Sequence, residues 1–278
     1  MSLHIIDINI MVKPRLSYER FNLLLLVNAL PDKSIDYDSV SKIYDQLRSG
    51  EPEMIFHLLE EYLPESGSKV LDVGCGTGNN TLLLQKATEA QVFGLDSSFG
   101  MLLEAQEKGQ HISFIHAYAD SIPVKSHSFD MVFMTEVVHH LPSMDNAMLE
   151  MSRVLKTGGL LCIVTQSHRQ IEERITSRFF PATVDIDKKR YPDIAEIEQC
   201  MKQKSFAKTW SRSYKFAPVI LSEEFLDTVS RKGYSMLHKI SENDYQKGLK
   251  ALQQSYASQE RLDYAAGYTY VWARKNVD

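Results

Sequence analysis

From Lys69 to Thr165 the chain alternates short apolar runs with amphipathic stretches, the pattern of parallel strands joined by helices. Lys69 to Val73 reads as a strand running into a glycine-rich turn, and Asn79 to Thr88, with Leu82, Leu83 and Leu84 on one side, as the helix after it. Gln91 to Leu95 is a second strand, and Asp96-Ser97-Ser98 caps a helix over Phe99 to Lys108. Ile112 to His116, Phe129 to Thr135 and Gly159 to Thr165 are further strands, the last introduced by the turn Lys156-Thr157-Gly158-Gly159. Such alternation implies an α/β fold, a doubly wound parallel sheet with helices on both faces.

Outside that stretch the pattern becomes helical and irregular. Ile35 to Leu63 reads as two helices broken near Gly50 and Pro52, and Pro192 to Lys204 as one amphipathic helix. Phe206 to Phe216 and Tyr264 to Lys275, rich in aromatic and β-branched residues, read as strands. Between them Ser222 to Ser258 holds two helices, the first opened by Ser222-Glu223-Glu224. Lys13, Arg15 and Arg20 before Leu23 to Val27 imitate a signal peptide, but Asn28 interrupts the run and Pro31 stops it, so a short amphipathic helix is expected there. No run approaches the roughly 20 apolar residues of a membrane span.

Composition narrows the functional classes. The 278 residues are 44% hydrophobic and 24% charged, an ordinary globular balance. With 31 basic against 36 acidic side chains the net charge is −5, which argues against a dedicated nucleic-acid binder. Residues 166–254 go the other way, and Arg169, Arg174, Arg178, Lys188, Lys189 and Arg190 could form an RNA-facing patch. Seven acids interleaved there, among them Glu172, Glu173, Asp185 and Asp187, favour the solvated side of cap helices instead. Cys75, Cys162 and Cys200 are too few and too scattered for a disulfide framework or a four-cysteine zinc site, so a reducing cytoplasm is the expected location and no metal is expected.

The decisive segment is Val70-Leu71-Asp72-Val73-Gly74-Cys75-Gly76-Thr77-Gly78-Asn79. A strand leads into glycines that let the backbone pass close beneath a ligand, then into a helix start whose free N–H groups face it. The spacing is D-x-G-x-G-x-G, so Asn79 stands where a dinucleotide fingerprint needs its third glycine, and no Gly-Lys-Ser/Thr of a phosphate loop follows. A cationic, amine-bearing nucleoside fits this loop better than a pyrophosphate.

Here the sequence resembles the class I S-adenosylmethionine-dependent methyltransferases. The resemblance covers residues 67–165 through VLDVGCGTG, VFGLDSS, HAYADSIPV, FDMVFMTEVVHHL and LKTGGLLCIVT, in family order. It implies a Rossmann-like, seven-stranded, mostly parallel sheet with a helical cap. The core would be 67–165, with 1–66 an N-terminal helical lid and 166–278 completing the sheet around an insertion at about 222–258. It also implies S-adenosylmethionine as cofactor, held by Asp72, Gly74, Cys75, Gly76 and Gly78 of the loop. Asp96 and Ser97 would lie at the ribose, Ala119 and Asp120 at the adenine, and Thr135, Glu136 and Val137 at the methionine end. Tyr37, Tyr44 and Arg48 look like part of the helix that closes over the cofactor in small-molecule members.

Each assignment has a plainer alternative. Asp72, Asp96 and Asp120 could be turn or helix caps. Tyr44 and Arg48 could be core packing and surface charge, and Cys75 need only be small. His139 and His140, just beyond the fourth strand, are candidates for general base, although the family often uses such a pair simply to start and pack a helix.

Methyl transfer to a small molecule is the leading expectation, because Met134-Thr135-Glu136-Val137 is not the Asn/Asp-Pro-Pro-Tyr used on exocyclic amines. Met201, Phe206, Trp210, Tyr214, Phe216, Phe225, Tyr234 and Met236 would line the acceptor pocket or belong to the core. The alternatives are a tRNA or protein methyltransferase working through the basic segment, and a cofactor-binding protein without transfer activity.

Overall fold

The computed structural model describes residues 37, 38, 41, 50–204 and 206–276. Tyr44, Arg48 and the helices expected before Gly50 therefore lie outside the described residues, apart from helical backbone at Tyr37, Asp38 and Ser41.

Helix α1 (Pro52–Glu61) leads into β1 (Lys69–Val73), α2 (Asn79–Ala87), β2 (Gln91–Asp96), α3 (Phe99–Lys108) and β3 (Ser113–His116). Then come β4 (Phe129–Thr135), a 3-10 turn (Val138–His140), α4 (Met144–Val154) and β5 (Leu155–Thr165). The seven-stranded sheet runs β3-β2-β1-β4-β5-β9-β6, with β9 (Gly267–Lys275) antiparallel to both β5 and β6 (Phe206–Lys215). The five strands from the β3 edge to β5 are parallel. Strand order reverses between β1 and β4, which opens a crevice at their carboxyl ends.

Period-two alternation divides the core between the sheet's two faces. Leu71, Val73, Val132, Met134, Leu161 and Ile163 pack against α4 and α8 (Ile194–Lys202). Val70, Phe133, Cys162 and Trp272 face α1 and α2 on the other side. Ser98 caps α3 as expected, its Oγ accepting from the Met101 amide at 3.1 Å.

Three short helices, α5 (His168–Glu172), α6 (Ile175–Phe179) and α7 (Ala182–Arg190), were not legible in the pattern because each spans only one to two turns and α7 has no apolar stripe. The late insertion contains β7 (Val219–Ile220), α9 (Glu223–Ser230), a 3-10 turn (Ser235–His238), α10 (Glu242–Ala257) and β8 (Asp263–Tyr264). Tyr264 therefore leaves the long final strand expected from the sequence and pairs with Val219 in a separate two-stranded ribbon. With α6 and α7 this insertion closes a third cluster of its own, built on Phe179, Phe180, Val229, Leu237, Tyr245 and Leu252. Among the described residues, no helix is long and apolar enough to cross a membrane.

Candidate functional site

The glycine loop turns tightly over the end of β1 and is tied to β2, with the Gly74 and Cys75 amides both donating to the Leu95 carbonyl at 2.7 and 3.0 Å. Gly74 is left-handed (φ 75°), and a Cβ there would lie 2.4 Å from the Val137 side chain, so only glycine lets the β4 exit pack on the loop. Gly76 (φ 54°) differs, because a Cβ added there would meet nothing within 4 Å. Its amide donates to Asp96 Oδ2 at 2.8 Å, while Asp96 Oδ1 accepts from the Ser98 amide at 2.8 Å. Burial pushes the Asp96 carboxyl up, and the amides of Ser98, Gly76 and Ser97 oppose that rise.

A cavity of about 190 Å³ opens above this loop at the sheet's reversal point. Gly74 and Gly76 form one wall, Asp96 and Ser97 the next, Ala119 and Asp120 a third, and Thr135, Glu136 and His140 a fourth. Tyr37 and Val137 also line it, so the structure brings together eleven of the residues singled out in the sequence.

Others stand apart. Asp72 is 1% exposed and does not line the cavity. It shares strand parity with Val70, which aims it at α2, where Oδ2 accepts from Thr81 Oγ1 at 2.7 Å and Oδ1 is buried without a hydrogen-bond partner among the described residues. Burial pushes its carboxyl up to about 7, against the Thr81 hydrogen bond and with the charge of Asp96 adding to the rise. Cys75 is also buried beneath the loop, its thiol pushed up by burial, so it is protonated and inert at neutral pH. Gly78 (φ 76°) caps α2, and a Cβ there would press on Ala105 and Phe114. None of the eight apolar and aromatic residues expected around the acceptor lines the cavity. Met201 and Phe206 pack under the sheet beside α8, and Phe225 and Tyr234 pack on the cap's own cluster.

The β4 exit carries the densest polar geometry. Thr135 Oγ1 accepts from Asn80 Nδ2 at 3.1 Å. Glu136 follows in the left-handed region (φ 57°), a strained conformation for a non-glycine residue, with its amide donating to the Val164 carbonyl at 2.9 Å. Its Oε2 accepts from the hydroxyl of Tyr191, a buried cap residue. Arg174 lies nearby, donating to Gln166 and to Asp187, which also accepts from Arg190. Burial opposes the Arg174 charge, but Tyr191, Glu136 and Asp187 outweigh it and hold the pKa above its ordinary value. Tyr191 escaped the sequence reading because nothing local marks a tyrosine that meets a glutamate 55 positions away, and Arg174, Asp187 and Arg190 stood out there only as parts of a charged segment.

His140 borders the cavity, and its Nε2 is 3.1 Å from the Tyr37 hydroxyl. The residue as a whole is exposed, yet burial of its ring among the surrounding elements, with Arg190 and Lys239 nearby, lowers its pKa to about 4. His139 does not line the cavity, because its ring is stacked against Tyr191. The basic segment is largely neutralised by ion pairs: Arg169 with Glu173, Arg178 with Glu260 and Lys188 with Glu172, besides the Asp187 cluster.

Fold and site together are those of a doubly wound α/β protein with a cavity at the sheet's reversal point. Residues 71–163 match the profile of a methyltransferase domain. The demethylmenaquinone methyltransferase of Staphylococcus haemolyticus is 31% identical over 182 residues, covering 61% of this chain and 76% of that protein. The chain belongs to the class I S-adenosylmethionine-dependent methyltransferases. In fold it is similar to a putative methyltransferase from an antibiotic biosynthesis pathway of Anabaena variabilis (TM-score 0.70, 20% identity, 82% of this chain and 99% of that one). It is also similar to phosphoethanolamine N-methyltransferase 2 of Haemonchus contortus in complex with S-adenosyl-L-methionine (TM-score 0.55, 20% identity, 86% and 57%).

Proposed function

We propose that the cavity binds S-adenosylmethionine and that the chain transfers its methyl group to a small-molecule acceptor. The observation that carries this reading is the Gly76–Asp96 pair, an open glycine beside a carboxylate fixed by two backbone amides at the cavity wall. A carboxylate has about four acceptor sites, so Asp96 keeps capacity for two ribose hydroxyls. Ala119 and Asp120 border the place for the adenine, and Thr135 and Glu136 the methionine end. Asp72, Cys75 and Gly78 support the loop from beneath.

The cofactor supplies an electrophilic methyl on a sulfonium, transferred in line to the acceptor's nucleophile. The protein's work is then to exclude water and hold the acceptor in line. With a pKa of about 4, His140 is neutral at pH 7 and a weak base, and its Nε2, engaged with the Tyr37 hydroxyl, is suited to orienting that hydroxyl at the cavity wall. The ion-paired basic segment favours a small acceptor over RNA, and the three buried free thiols accord with a reducing cytoplasm. We assign the cap to the acceptor side.

The test is calorimetry with S-adenosylmethionine and S-adenosylhomocysteine, followed by an acceptor panel read by S-adenosylhomocysteine release. A demethylated menaquinol goes first, because the Staphylococcus relative is named for that reaction. Cofactor binding with acceptor-dependent release is expected. Absence of cofactor binding would overturn the reading, and tRNA as the only productive acceptor would overturn its substrate class.

A further inference from the structure

Four rings stand in a row that runs from the cavity wall, at Tyr37 and His140, into the cap. Tyr191, at the end of α7, is stacked on His139 with centroids 3.7 Å apart and planes 16° from parallel. His139 leans on His140 at 4.1 Å, and His140 meets Tyr37 edge-on at 5.6 Å. The Arg174 guanidinium lies 5.0 Å from the centre of the Tyr191 ring. The row joins the cap to the N-terminal segment through the loop after β4.

Tyr191 is the member with contacts in every direction. Its hydroxyl donates to Glu136 Oε2 at 3.2 Å, its amide donates to Asp187 and its carbonyl faces His168 Nε2 at 2.9 Å. It is 6% exposed, so the ring is clamped and the hydroxyl has a fixed direction. Glu136 needs such a clamp. Its left-handed backbone is strained, and a strained conformation persists only where the surroundings over-determine it. The next residue, Val137, fills the space denied to a Gly74 side chain, so any relaxation of Glu136 displaces a wall of the glycine loop.

We propose that Tyr191 is a positioning residue of the methyl-transfer site: its hydroxyl fixes Glu136, its ring face fixes His139 and through it His140, and the cap thereby sets the shape of the cavity's methionine end. The inference rests on the cavity being the cofactor site. It assigns the two contacts separable effects, because Tyr191→Phe deletes the hydroxyl and keeps the stack, whereas Tyr191→Ala deletes both.

The experiment uses the whole chain and two readouts, S-adenosylhomocysteine affinity by calorimetry and the His140 titration by histidine side-chain NMR, assigned with His140→Gln. The groups facing His140 are Tyr37 from the N-terminal segment, His139 on its own turn, Arg190 from α7 and Lys239 from the late 3-10 turn. Tyr191→Phe is expected to weaken binding about 3- to 10-fold, the range for one lost hydrogen bond, and to leave the His140 midpoint as in the wild type. Tyr191→Ala is expected to weaken binding further and to raise the midpoint toward the ordinary histidine range. Glu136→Gln, whose amide oxygen still accepts from Tyr191, is expected to keep more affinity than Glu136→Leu, and this comparison decides the point if the Ala variant does not fold. Unchanged affinity in Tyr191→Phe, or equal losses in the two Glu136 variants, would overturn the proposal. Wild-type protein that fails to bind S-adenosylhomocysteine would instead overturn the cofactor assignment on which it rests.

Discussion

Replacing Asp96 by alanine separates the nucleoside-site reading from a merely structural one. The carboxylate accepts from the Gly76 and Ser98 amides at 2.8 Å each and borders the cavity. As a cap-like structural residue it would affect stability alone, by about 1 kcal/mol for the lost amide bonds. As the ribose acceptor it also makes two charge-assisted hydrogen bonds to the ligand, at about 1.5 to 3 kcal/mol each before water replaces part of the loss. Allowing for that replacement, Asp96→Ala should weaken S-adenosylhomocysteine binding by about 2 kcal/mol or more, roughly 30-fold. Calorimetry on protein shown by circular dichroism to be folded measures the effect. Asp96→Asn should fall between, since its amide keeps one acceptor oxygen and turns a donor toward a backbone N–H. Unchanged affinity in folded Asp96→Ala would refute the assignment, whatever the variant's melting temperature.

Asp72 makes a pH prediction. Its folded-state pKa of about 7 stands above the ordinary aspartate value of 3.8, so the folded protein holds the extra proton between those values and stability falls as pH rises through that window. The ceiling is about 4 kcal/mol, and Asp72→Asn should remove that slope, seen as a gap in denaturation free energy between the proteins that changes from pH 4 to pH 8. A pH-independent gap would refute it. Gly248→Ala tests the cap, because its Cβ would lie 2.3 Å from Phe180 Cδ1 and 2.5 Å from the Phe179 carbonyl oxygen. We expect a loss of about 1 to 3 kcal/mol from overpacking, and a melting temperature equal to wild type would contradict the packing described.

The parts of the site written locally were legible in the sequence. D-x-G-x-G-x-G dictates a left-handed turn beneath a ligand, and Asp96 follows a buried run, so loop and carboxylate could be placed before any fold was seen. Asp72 was misplaced for a physical reason that the pattern did contain: it alternates with Leu71 and Val73, and parity turns it away from the cavity. The acceptor lining stayed open between pocket and core for another reason. An aromatic such as Trp210 or a methionine such as Met201 looks the same in sequence whether it borders a cavity or fills a core. Tyr191 and Arg174 were illegible because their meaning comes from meeting Glu136 across the β5-to-cap connection, which no spacing rule encodes.

The cap's separate cluster has a consequence for how such a protein can change. Phe179, Phe180, Val229, Leu237, Tyr245 and Leu252 satisfy one another without drawing on sheet residues. None of them lines the cavity or packs on the glycine loop. Ancestry could therefore exchange this part of the chain repeatedly while keeping the donor machinery intact, provided each newcomer met the β4 exit with a side chain able to do what Tyr191 does. The molecule is in this sense a constant half and a replaceable half, meeting where the Tyr191 ring stacks on His139.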